Sequence, residues 1–247
     1  MLTQIFAERI YAFEHPTLSA SPIDNALVLA KALPEGADLS IVSHSRGGLV
    51  ADLLCLQNIS ADALNRYNRH NDAFKEIDAH DREQLAELAR VLKSKAFRIK
   101  RLIRVASPSQ GTLLASENSD QFLSILTSLI GLIPILGQSP IYQVTKRITL
   151  EAIKQRWDAE QIPGIEAMIP SSPLVALLNN PEVRAAGDLG VIAGDIEGSG
   201  WFKRLGVFIS DTFIYESGDN DLVVNTDSML QGLRRSESSR YVFDKGA

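Results

Sequence analysis

Apolar residues in this chain fall in short runs separated by polar turns, and the spacing inside each run separates strands from helices. Residues 8–13, Glu-Arg-Ile-Tyr-Ala-Phe, predict a short buried strand, and His15-Pro16 through Ser21-Pro22 predict the loop after it. Ile23 to Leu33 carries apolar side chains at helical spacing. Leu39 to Val42 is a second strand-like run, and Gly48 to Asn58 follows as an apolar helix. Residues 61–95 are rich in charge with Ala, Leu and Val at helical spacing, which predicts a solvated helical hairpin. Lys100 to Ala106 is the next strand, Gly190 to Gly194 another core strand, and Phe213 to Glu216 leads into a polar loop. Arg240 to Phe243 is a candidate last strand. The alternation of strands and helices predicts an α/β fold with a mostly parallel central sheet flanked by helices.

Between the third and fourth of these strands lies a long helical stretch, 112–185, with turn signals at Pro163-Gly164, Pro170-Ser171-Ser172-Pro173 and Asn180-Pro181. Within it, Gln121 to Leu136 is the most apolar segment, broken by Gly131 and Pro134. It is too short and too interrupted to span a bilayer. A lid over a lipophilic pocket and plain packing inside a cap are equally good readings of it.

With 247 residues and 45% hydrophobic content, the chain can bury a sizeable core as one large domain, or as a core plus an insertion. The formal charge of −5 leaves no basic footprint, so no nucleic-acid partner is expected. One cysteine, Cys55, excludes a disulfide framework and reads as buried packing. The first ten residues show no basic stretch followed by a long apolar core, so the expected location is cytoplasmic.

The chemistry concentrates where the strand at 39–42 breaks. Ser43-His44-Ser45-Arg46-Gly47-Gly48 places one serine between small residues two before and two after it, immediately ahead of an apolar helix. That pattern is a nucleophile elbow: a sharp strand-to-helix turn exposes the hydroxyl, and the helix start directs free N–H groups at the reacting oxygen. A phosphate-binding turn or a plain strand–helix junction is the alternative reading.

The order of parts resembles the α/β-hydrolase family, in its lipase and esterase-like branch, over nearly the whole chain. Three patterns carry the likeness: the elbow, the loop Ala106-Ser107-Pro108-Ser109-Gln110-Gly111-Thr112, and Gly218-Asp219-Asn220-Asp221-Leu222-Val223-Val224, which looks like the family's acid loop. The resemblance implies a Ser, acid, His triad in that chain order, with Ser45 attacking a carbonyl carbon. It implies Asp221 as the acid, with Asp219 as the alternative, and an oxyanion contact from the backbone N–H of Arg46. An Asx-type turn is the structural reading of the same two aspartates.

Two parts of the family pattern are not matched. The histidines are His15, His44, His70 and His80, and all precede Asp221, whereas the family's base follows its acid. His44 is read as support beneath the elbow, and His70 and His80 as surface residues. His15 and Ser107 are placed at the substrate edge, with turn packing before Pro16 as the alternative for His15. Matching residues 9–13 to the family's fourth strand leaves nothing for its first three, so the domain is expected to lack them. The chain is accordingly expected to be a piece of a longer protein. The organisation expected is one α/β-hydrolase-like domain over 1–247, with the 61–95 hairpin and a 112–185 helical cap or lid.

The function implied is a serine hydrolase cleaving an ester or related acyl bond through an acyl-enzyme on Ser45, with no metal or organic cofactor. Its expected partners are a small-molecule or lipid-like ester substrate and other domains of a longer parent chain. A non-catalytic hydrolase-like binding module and an acyltransferase are the alternatives, because fold alone does not choose among them.

Overall fold

A computed structural model describes residues 4, 6–7, 9–17, 19–56, 59–68, 75–112, 163–192, 228–229 and 231–235. Their order is α1 (Pro22–Ala32), β1 (Asp38–His44), α2 (Gly47–Leu54), α3 (Ala61–Asn65), α4 (Lys75–Lys95), β2 (Arg98–Val105), α5 (Pro163–Glu166), α6 (Pro173–Leu178) and β3 (Asp188–Ile192). The three strands form a parallel sheet in the order β1-β2-β3. Parallel neighbours require long crossovers, and α2, α3 and α4 fill the one between β1 and β2. The register aligns Ile41 with Leu102 and Leu102 with Leu189, and one step on, Ser43 with Arg104 and Arg104 with Val191.

These rows lie on the face that the helices cover. Helix α2 packs on β1 and β2, α1 packs on α2, and α4 packs on α1. Ile23 of α1, Leu49 and Leu53 of α2, Leu85 and Leu88 of α4, and Leu102 of β2 are all fully buried. Each such side chain contributes about 1.5–3 kcal/mol through burial. The helix starts follow local rules. Ser21 caps α1 by accepting from the Asp24 N–H at 3.1 Å, with Pro22 in the first turn, where an N–H is not needed. Ser172 and Pro173 repeat the device in α6. Gly48 is required by close approach, since a Cβ there would stand 1.8 Å from Ser107 Oγ.

Several expectations change. Residues 9–16 are not a strand: Ile10, Tyr11 and Phe13 are exposed, Tyr11 at 88%. Apolar spacing gives a strand only where a neighbouring ladder accepts it, and β1 pairs with β2 alone among the described residues. The charged hairpin is not merely solvated, because α4 covers the core with Leu85 and Leu88 and also buries Asp78 and Asp81. Pro163-Gly164 opens helix α5 instead of marking a turn. Of the expected cap, 113–162 lies outside the described residues, as do 213–216 and 240–243. No helix among the described residues is long and apolar enough to cross a membrane.

Candidate functional site

Strand β1 ends at His44, and Ser45 takes a left-handed φ of +51° before Arg46 returns to helical angles and α2 begins. A non-glycine residue in that region is strained by about 1–2 kcal/mol and persists only where its surroundings hold it. Ser45 is held at both ends. Its N–H donates to Val105 O at 2.9 Å, extending the β1–β2 ladder by one residue, and its carbonyl accepts from the Gly48 N–H at 3.0 Å. Ser43, two residues back, is buried and donates its hydroxyl to Ile103 O at 3.3 Å. Ser45 itself is half-buried. The turn therefore raises a serine at the carboxyl edge of a parallel sheet, where loops collect the chemistry in such folds. Of the first amides of α2, the Leu49 N–H donates to Arg46 O at 3.0 Å, as the Gly48 N–H does to Ser45 O, which tightens the turn into the helix.

The neighbouring strand exit repeats the geometry. Ala106, one residue past β2, has φ +48°, and its N–H donates to Ile192 O at 3.0 Å. The loop beyond it is tightly bound. Thr112 N donates to Met168 O at 2.8 Å, Gln110 N to Ser228 Oγ at 3.1 Å, and Ser228 Oγ to Gly111 O at 2.8 Å. Asn179 Nδ2 donates to Ser109 O at 2.8 Å. Ser107, expected at the substrate edge, is 1% exposed and its hydroxyl lies against Gly48. That hydroxyl is buried and meets no hydrogen-bond partner among the described residues.

The Arg46 side chain turns inward and is 2% exposed. Its Nε donates to Gly164 O at 3.1 Å, one Nη donates to Ala20 O, and the other lies 3.5 Å from His15 Nδ1. Burial lowers its pKa to about 10. His15 is half-buried, with its ring centroid 5.4 Å from that of Phe13. Burial, with the Arg46 charge second, holds the His15 pKa below its ordinary value. The structure thus brings His15 to Arg46, beside the elbow. His44 does not support the elbow from beneath: strand alternation points it away from buried Ser43, and it is exposed. His80 is an exposed residue whose Nε2 lies 3.3 Å from Asp24 Oδ1. Asp219, Asp221 and His70 lie outside the described residues.

A cluster that the sequence reading missed sits behind the elbow helix. Arg104 of β2 is fully buried, with Nη1 2.7 Å from Asp52 Oδ2 of α2. The other oxygen of Asp52 accepts from Arg235 Nη2 at 3.0 Å. The available signal was a charge inside an apolar run, Leu-Ile-Arg-Val at the end of the strand and Val-Ala-Asp-Leu in the helix, the strand charge being one of four cations in β2. Such residues are almost never fully buried unless paired. Cys55 is buried against this cluster, and burial raises its thiol to about 11, so it is not a reactive thiol.

A cavity of about 790 Å³, lined by Leu54, Leu56, Leu92, Phe97 and Ile99, opens near the start of β2, at the opposite end of the strands from Ser45. No group of three or more His, Cys, Asp or Glu among the described residues is placed to hold a metal ion. No curated protein and no solved structure matches the chain. A family model described as a domain of unknown function, DUF7379, matches residues 2–70 and 82–245, and the chain belongs to that family.

Proposed function

We propose that the protein is a serine hydrolase of the α/β-hydrolase type, with Ser45 as its nucleophile. The observation that carries this reading is the left-handed φ of +51° at Ser45, between the end of β1 and the start of α2. A phosphate-binding turn is ordinarily glycine-rich at its strained positions, whereas here the strain falls on the one residue able to attack a carbonyl. In the proposed reaction Ser45 Oγ bonds to the carbonyl carbon of an ester. The ester C–O bond breaks, and the leaving alcohol takes the serine proton from a base. Water then hydrolyses the acyl-enzyme. The Arg46 N–H at the head of α2 stabilises the oxyanion, and Asp221 is the proposed acid. His15, held at the elbow by Arg46, borders the substrate. The apolar sequence 121–136 supports a lipophilic acyl group.

A second reading is favoured by one observation. Of the described histidines, His44 is exposed and points away from buried Ser43, while His15 stands beside the elbow with its Nδ1 facing the Arg46 guanidinium. A cation there disfavours the imidazolium that a general base must form. A binding module that keeps the elbow but does not turn over fits that geometry. Reaction with a fluorophosphonate followed by peptide mass spectrometry separates the two. The hydrolase reading expects a covalent adduct on Ser45 that Ser45→Ala abolishes. An unreacted Ser45 in the folded protein rejects it.

A further inference from the structure

The guanidinium of Arg104 joins three segments distant in sequence. Nη1 donates to Asp52 Oδ2 of the elbow helix at 2.7 Å and to Ser109 Oγ of the β2 exit loop at 2.5 Å. Nη2 donates to Gln231 O at 2.6 Å and to Met229 O at 3.4 Å. The fit is close, since a Cβ on Gly232, at φ +112°, would stand 2.6 Å from Arg104 Nη1. The 228–235 segment is fastened further by Ser228 to the loop amide of Gln110, by the Gly232 N–H to Asn179 Oδ1 at 3.0 Å, and by Arg235 to Asp52. Asn179 also holds Ser109 O, so the hydrogen bonds close into a ring around Arg104.

Stability alone does not account for such an arrangement. A buried ion pair is commonly no more stabilising than apolar side chains of the same volume, because two charges must leave water. Here one carboxylate stands between two buried arginines, and the Nε atoms of Arg104 and Arg235 have no partner among the described residues. What an apolar replacement cannot supply is direction. A planar fork with donors at fixed angles sets the mutual placement of every acceptor it meets.

We infer that Arg104 is a positioning residue for the Ser45 site. It locks helix α2, whose N-cap residue Arg46 carries the proposed oxyanion N–H, to the β2 exit loop and to the 228–235 segment that follows Asp221 in the chain. The inference rests on the hydrolase reading for its effect on Ser45, but the lock itself is independent of that reading.

The test uses the full chain with Arg104→Met, which keeps length without donors, and Arg104→Lys, which keeps charge without the fork. Hydrogen exchange and the rate of Ser45 reaction with a fluorophosphonate are both measured. Arg104→Met is expected to retain amide protection in α1 and α4, to lose it at Gln110 and Gly232, and to slow the Ser45 reaction at least tenfold. Arg104→Lys is expected to recover denaturant resistance without recovering the rate, a split that a purely structural role would not produce. Unchanged protection at Gln110 and Gly232 in Arg104→Met overturns the lock. If Ser45 is unreactive in the unaltered protein, the hydrolase reading fails while exchange at those two amides still decides the lock. Should Arg104→Met not fold, Ser109→Ala leaves the ion pair intact and carries the same test. Loss of protection at Gln110 then supports the inference, and no change at either amide overturns it.

Discussion

Two arginines are buried within reach of the elbow, and they are buried on different terms. Arg104 faces a carboxylate, Asp52, which is itself shared with Arg235. Arg46 has no carboxylate within ion-pair distance among the described residues and meets only the carbonyls of Gly164 and Ala20 and the ring of His15. The first arrangement fixes charge against charge in the core behind α2. The second pins separate loops to the elbow by hydrogen bonds to neutral groups, at a desolvation cost that shows in the lowered Arg46 pKa. One side of the elbow helix is therefore held by charge against charge, while Arg46 holds the loops at its start through a cation whose partners are neutral. Loops carrying function are commonly attached in this looser way.

The largest effect expected from this contrast is at Asp52. Asp52→Ala removes the one carboxylate that Arg104 and Arg235 meet among the described residues and should cost about 3–5 kcal/mol of unfolding free energy. Urea denaturation measures it, and a loss below about 1 kcal/mol would show that the cluster is not desolvated as the structure has it. Arg46→Met leaves neutral carbonyls instead of a charge, so it should cost less, about 1–3 kcal/mol. The same titration distinguishes the two, and a larger loss at Arg46 than at Asp52 would reverse the comparison.

The smallest effect is a pH dependence at His15. Its folded pKa lies below its ordinary 6.5, so between the two values the unfolded chain binds more protons than the folded one. The contribution of His15 is complete above pH 6.5 and is lost as pH falls through that value toward the folded pKa. Melting temperatures recorded from pH 7.5 to 5 should fall less steeply for His15→Gln than for the unaltered protein. Parallel slopes would mean that His15 is not buried beside Arg46 as the structure has it.

Much of the elbow was legible because its determinants are neighbours in the chain. Strand, small residues, serine and apolar helix occur within about a dozen positions, a pattern that names a sharp turn at Ser45. The β1, β2 and β3 strands and helices α1 and α2 were readable for the same reason, with shifts of a few residues at their ends. Residues 9–13 show where such reading stops. Their apolar spacing predicts a strand, yet they are exposed and unpaired in the described sheet, since a ladder needs a partner that pattern does not provide. Ser107 shows a related limit. Its place in a strand-exit loop was legible, while the burial of its hydroxyl against Gly48 was not.

The amino-acid sequence by itself determined the alternating apolar runs and the small-residue turn around Ser45, because both are patterns of residues within a turn or two of one another, whereas the strain at Ser45 is held in part by Val105 O of β2. Only the tertiary structure decided the inward course of Arg46, the exposure of His44 and the joining of Arg104 to Asp52 and Arg235. Asp52 lies 52 positions from Arg104 and 183 from Arg235. Contacts at that separation arise from how the sheet and helices stack, and stacking is settled by the burial of the whole core together, which local spacing does not encode.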